Sequence, residues 1–278
     1  MEPTEAEISA ALAHYRERIV SHNREAFTKF VHIAETAQPN APKTPEGLAA
    51  ARLRFIRDLF GISRPELHQD PIERIDTPAD VELKWPRLVR AFALDGVTIG
   101  QDDQKRESDR AAYREGILNG IRSRHDGDSD VDTTHLEFPN DFWTLMGMVS
   151  SLEGHGWPQY REHGQQIRFW DGLGGSAAEM EQSVVDPETL DLEGWEVLAG
   201  WECGQGPETT CYVLYCRAEE DEDGNDDDTS WGWRYVADMG QYGDEVFDNV
   251  VELLEWYEEL HVPDLDHLDW YTNKVFSD

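Results

Sequence analysis

The stretch WEVLAGWECGQGPETTCYVLYC, residues 195–216, decides the fold. Trp195, Val197, Ala199, Trp201 and Cys203 recur at every second position, the period at which a strand repeats a face. The polar Gly204–Thr210 segment then supplies a turn. Cys211–Cys216 is apolar or aromatic at every position, which suits a central strand covered on both sides. Further on, Trp231, Trp233 and Tyr235 alternate with Gly232 and Arg234, giving a third strand.

Working outward, the sheet is bracketed by helices. Pro139-Asn140-Asp141 opens a helix with Phe142, Leu145, Met146 and Val149 on one face. At the other end Val246, Phe247, Val250, Leu253, Leu254 and Tyr257 fall at i, i+1, i+4, i+7, i+8 and i+11, the stripe of an amphipathic helix. Helix, antiparallel strands and helix together predict an α+β domain, an antiparallel sheet flanked by helices. Ahead of it, residues 1–125 read as all-helical. Thr4 with Glu5 and Glu7 starts one helix, and Thr44-Pro45 starts another that ends before Gly61. A third runs from Pro78 to about Leu94, with Pro86 inside, and a fourth from Ser108 to Arg122. The polar run His125–Thr134 marks the boundary, so the organisation predicted is a helical region over 1–125 and an acidic α+β domain over 126–278.

Charge divides the chain at the same place. Residues 1–125 carry 20 acidic and 19 basic side chains, whereas residues 126–278 carry 38 acidic and 5 basic. Such an excess repels polyanions, so nucleic acid, nucleotides and anionic membrane are poor candidate partners, and a basic protein or a metal cation is a better one. No uncharged apolar run reaches the length of a membrane span, and Met1–Glu7 has neither the basic nor the apolar region of a secretory signal. Three cysteines, without ligand spacing, read as reduced and structural, in keeping with a cytoplasmic or nuclear setting.

Motifs for chemistry are weak. Glu219–Asp228 packs eight carboxylates into ten residues, and as an EF-hand loop it fails at its first and twelfth positions. Asp126, Asp128, Asp130, Asp132 and Glu137 match that pattern better, but Val131 stands where the sharp turn requires glycine. A calcium-responsive loop over 126–137 is therefore an alternative reading. Gly174-Gly175-Ser176-Ala177-Ala178 departs from the nucleophile-elbow pattern at its last residue, and His155 and His163 lie at no metal-binding spacing. A hydrolase using two carboxylates is the remaining alternative, although nothing in the spacing selects a pair.

The segment Leu136–Leu145, LEFPNDFWTL, resembles the helix start of SMI1/KNR4 (SUKH) domains. Phe138-Pro139 stands for the family's Leu-Pro, Asp141 for its Asp, and Phe142 for the following aromatic. Gly194–Leu198 and Trp231–Asp238 look like two of its strands, and Asp244–Leu260 is similar to its closing helix. The likeness spans about 130–262. It departs after the first helix, where Ser151-Leu152-Glu153-Gly154 replaces the usual Asn-Gly. The resemblance implies a non-enzymatic intracellular interaction module, with immunity proteins and regulatory hubs among its relatives. With the charge, it places partner binding on Trp201, Glu219, Glu220, Asp221, Asp223, Asp226, Asp227, Asp228, Trp231, Trp233 and Asp238, without cofactor or metal. In such a face aromatics supply the desolvated anchor and carboxylates steer the encounter.

Overall fold

The computed structural model describes residues 2–36, 44–59, 78–100, 102–124, 133, 135–152, 168–173, 175–190, 192–206, 209–219 and 230–259. Contacts divide these residues into two units, each described by itself: those of Tyr15–Gly96 with Glu258 and Glu259, and those of Met1–His14, Val97–Gly154 and Gln165–Tyr257.

The first unit is helical. Helix α1 (Glu5–Thr36) starts in the other unit, where Thr4 and Glu7 form a reciprocal cap: Glu7 N donates to Thr4 Oγ1 and Thr4 N to Glu7 Oε2. Helix α2 (Pro45–Leu59) is capped by Thr44, whose Oγ1 accepts from Gly47 N, and α3 spans Pro78–Phe92 with Pro86 inside. Within the unit α1 and α3 are joined by Phe27 packed edge-on to Trp85 and by Arg24 paired with Glu82, and Asn23 Nδ2 donates to Leu94 O just beyond α3.

The second unit holds a two-stranded and a four-stranded antiparallel sheet. Strand β1 (Val97–Thr98) pairs with β2 (Ser151–Leu152), which corrects the expectation that 1–125 is helical throughout. The β-branched pair follows Gly96, whose φ of +77 turns the chain out of the helical region. Helix α4 (Asp103–Arg124) begins five residues before the expected start, because Asp102 Oδ1 accepts from Gln104 N and Lys105 N and extends the helix backwards. It also belongs to this unit rather than to the helical one. Its Gly116 and Gly120 let α6 (Ala177–Gln182) lie against the backbone: a Cβ at Gly116 would stand 2.4 Å from Ala177 O, and one at Gly120 would stand 2.9 Å from Glu181 O. Ser176, weighed above as a nucleophile, caps α6 in a capping box with Glu179.

The larger sheet is a meander, β3 (Trp195–Gly206), β4 (Thr209–Ala218), β5 (Gly232–Asp238) and β6 (Asp244–Phe247), in that spatial order. Helix α5 (Asn140–Met148) precedes it and α7 (Val250–Glu259) closes it, so the α+β class is as read. Two particulars differ. A bulge lies between Val197 and Ala199, so Val197 pairs with Cys216 and Ala199 with Tyr215, and one face cannot hold all five alternating residues of β3. Trp195 and Val197 instead pack with Leu214, Cys216 and Val236 beneath Val185, Leu190 and Leu192. The closing helix is also shorter than its stripe: Val246 and Phe247 pair with Val236 and Tyr235 as strand. Asn249 then starts the helix, its Oδ1 accepting from Val251 N and Glu252 N. Strand β4 is buried from both sides, with Cys211, Val213, Leu214 and Cys216 no more than 1% exposed. Burying Val213 and Leu214 contributes about 1.5–3 kcal/mol each.

Candidate functional site

Asp141 is the hinge pin of the later unit. Its Oδ1 accepts from the Tyr235 hydroxyl at 2.6 Å and from Phe142 N at 2.8 Å, and its Oδ2 accepts from Val250 N at 2.9 Å. One carboxylate thus joins α5 to β5 and satisfies a free amide at the positive end of α7. Burial pushes its pKa up, against the lowering effect of these donors. Burial pushes Tyr235 well above the usual tyrosine range, and the neighbouring carboxylate adds to that. The three hydrogen bonds commit Asp141 to holding elements together. Among the described residues no group of three or more His, Cys, Asp or Glu is placed to hold a metal ion. Asp126, Asp128, Asp130 and Asp132 of the calcium-type pattern lie outside the described residues, whereas Glu137 is exposed.

From the buried centre a ladder of rings climbs to the surface on one face of the sheet. Phe138 stacks on Trp201 with centroids 5.3 Å apart, Trp201 meets Trp233 at 5.5 Å, Trp233 meets Tyr215 at 5.3 Å, and Tyr215 stacks on Trp231 at 5.8 Å. Each pair in such geometry is worth about 0.5–1.5 kcal/mol beyond its buried area. The register forces this, because Tyr215 pairs with Trp233 across β4 and β5. Trp201 is fully buried and donates its Nε1–H to the Tyr113 hydroxyl at 2.8 Å, so it anchors the core and presents no ring to a partner. Trp231 and Trp233 are half-buried.

The predicted binding residues therefore separate. Trp231 and Trp233 share the β4–β5 end of the sheet with exposed Glu219. Asp238 lies at the opposite end of β5, about 20 Å along the strand, where its Oδ1 accepts from Gly240 N. Glu220, Asp221, Asp223, Asp226, Asp227 and Asp228 lie outside the described residues.

Beside this end runs an open groove of about 1480 Å³. Trp143, Tyr215 and Trp233 supply aromatic lining, Arg114, Leu118 and Arg122 one face of α4, and Glu2, Glu137, Asp141, Asp248 and Glu252 the carboxylates. Arg234 enters it as well, only 8% exposed and paired with Asp248 at 2.6 Å. Neither the groove nor the Arg234–Asp248 pair was legible beforehand, since residues from widely separated stretches compose them. The one signal available was spacing: Arg114, Leu118 and Arg122 stand four apart, on one helical face. Compared with family models, with curated proteins and with solved structures, the chain matches none.

Proposed function

We propose that the later unit is a non-enzymatic, SUKH-like protein-interaction module of the cytosol or nucleus that binds a basic protein, not a nucleic acid or a membrane. The observation that carries this reading is the placement of two half-exposed indoles, Trp231 and Trp233, beside Glu219 in a half of the chain holding 38 acidic and 5 basic residues. Aromatic edges at the end of a rigid sheet lose little conformational entropy on contact, and surrounding carboxylates accelerate encounter with cations. Arg217 shows the chemistry in miniature. Its guanidinium stands 4.9 Å over the Trp231 ring while its Nε–H donates to Glu196 at 2.7 Å. The SUKH-like element of the reading is supported by Asp141, the position matching the family's Asp, which unites the first helix, the sheet and the closing helix.

The test is capture from lysate on the immobilised full chain, at low and at high salt, beside the Trp231→Ala variant. Basic proteins released by salt and lost in the variant are the expected result. Retention of acidic proteins only, indifferent to salt, would overturn the reading.

A further inference from the structure

Most of the half-exposed indoles in the later unit already hold an arginine. Trp143 carries Arg110 at 4.0 Å and Arg114 at 4.8 Å, Trp231 carries Arg217 at 4.9 Å, and Trp195 has Arg234 at 6.0 Å. Three of these arginines also meet a carboxylate: Arg110 reaches Glu107, Arg217 reaches Glu196, and Arg234 reaches Asp248. The recurring unit is an indole face with an adjacent carboxylate, which suits the flat, weakly hydrated guanidinium better than an ammonium.

Trp233 is a further half-exposed indole of this unit, and no guanidinium of the described residues stands over it. Its ring is held edge-on to Trp201 and Tyr215, and its Nε1–H donates to Glu137 O at 2.9 Å, which fixes the indole. The ring lines the groove with the exposed carboxylates of Glu137 and Glu2, neither of which has an ion pair among the described residues. Arg114, Arg122 and Arg234 also line the groove and repel further cations, so it seats one arginine rather than a basic run. We infer that the groove between α4 and the start of β5 receives a single arginine side chain of the basic partner, its guanidinium over Trp233 and beside Glu137.

The inference rests on the proposed basic partner, and the test separates the two. The ¹⁵N-labelled full chain is titrated with N-acetyl-arginine amide, its lysine and citrulline counterparts, and free L-arginine, the Trp233 indole signal being assigned with Trp233→Phe. The arginine amide moves that signal, binds about fivefold more tightly than the lysine compound, and loses about fivefold in Glu137→Gln, while citrulline leaves it still. An unmoved Trp233 signal, an equal response to citrulline, or unchanged affinity in Glu137→Gln would overturn the inference. Free arginine binding tenfold more tightly than the amide would do so too, by assigning the groove to a small molecule. If salt-sensitive capture of basic proteins persists beside any of these results, the interaction module stands and only the arginine seat falls.

Discussion

The Tyr235 hydroxyl donates to Asp141 Oδ1 across 2.6 Å, although the two residues stand 94 positions apart in the chain. Both are buried, so the bond is made where its loss is most costly. Tyr235→Phe is expected to destabilise the protein by about 1–2 kcal/mol in denaturant unfolding. Because that donor lowers the Asp141 pKa, its removal also moves the Asp141 carboxyl titration, followed by ¹³C NMR, to higher pH.

Asp141 itself makes stability depend on pH in an unusual direction. Burial raises its folded pKa above the 3.8 of an unburied Asp. Its contribution is therefore fully present below 3.8 and is lost as pH rises through the folded value, since the folded state there holds the proton more tightly. Asp141→Asn removes this titration along with one acceptor for the Val250 amide. The variant is expected to be less stable than the parent, with a deficit that is smaller at pH 7 than at pH 3.

The three cysteines predict a loss of stability at alkaline pH. All are buried thiols, and burial pushes Cys216 from 9.0 up to about 12 and raises Cys203 and Cys211 further. An unfolded chain releases these protons near pH 9 while the folded chain keeps them, so stability falls as pH rises from 9 towards 12. Urea midpoints between pH 8 and 10.5 should decline, and less steeply in Cys216→Ala. Alkylation of the native protein at pH 7.5 should be slow for all three.

Gly116 offers a test of the α4–α6 contact. Alanine is the better helix former by about 1 kcal/mol, so Gly116→Ala would stabilise a free helix. Here its methyl would meet the Ala177 carbonyl oxygen, a backbone atom that cannot swing aside. A net loss of about 1–2 kcal/mol is expected, read as a lowered Tm.

The α+β class was legible because short-range patterns carry it. Alternation named β3 and β5, Thr4 and Thr44 marked helix starts, and Cys211–Cys216 announced a strand covered on both faces. What failed was what periodicity cannot register. One extra residue at Leu198 shifts β3 by a face without altering the alternation of its sequence. Val246 and Phe247 satisfy a helical stripe equally well, and only their pairing with Val236 and Tyr235 makes them strand.

The candidate site was less legible. Trp231, Trp233 and Glu219 could be placed together because they flank one hairpin connection. Asp238 shares their strand but sits at its far end, a distance that proximity in sequence conceals. Trp201 has the same alternation as its neighbours, yet Tyr113, 88 residues away, takes its indole proton inside the core. Groove residues such as Arg114 of α4, Glu137 before α5 and Glu252 of α7 come from separate stretches and left no common motif.

The central claim, that the acidic half with its indoles recognises a basic protein, is tested most directly by the association rate with a captured partner across ionic strength. The account predicts a rate that drops by about tenfold or more between 50 and 500 mM salt. It also predicts a dissociation rate that rises in Trp231→Ala while that salt dependence is kept. An association rate indifferent to salt, with Trp231→Ala binding as the parent does, would contradict it.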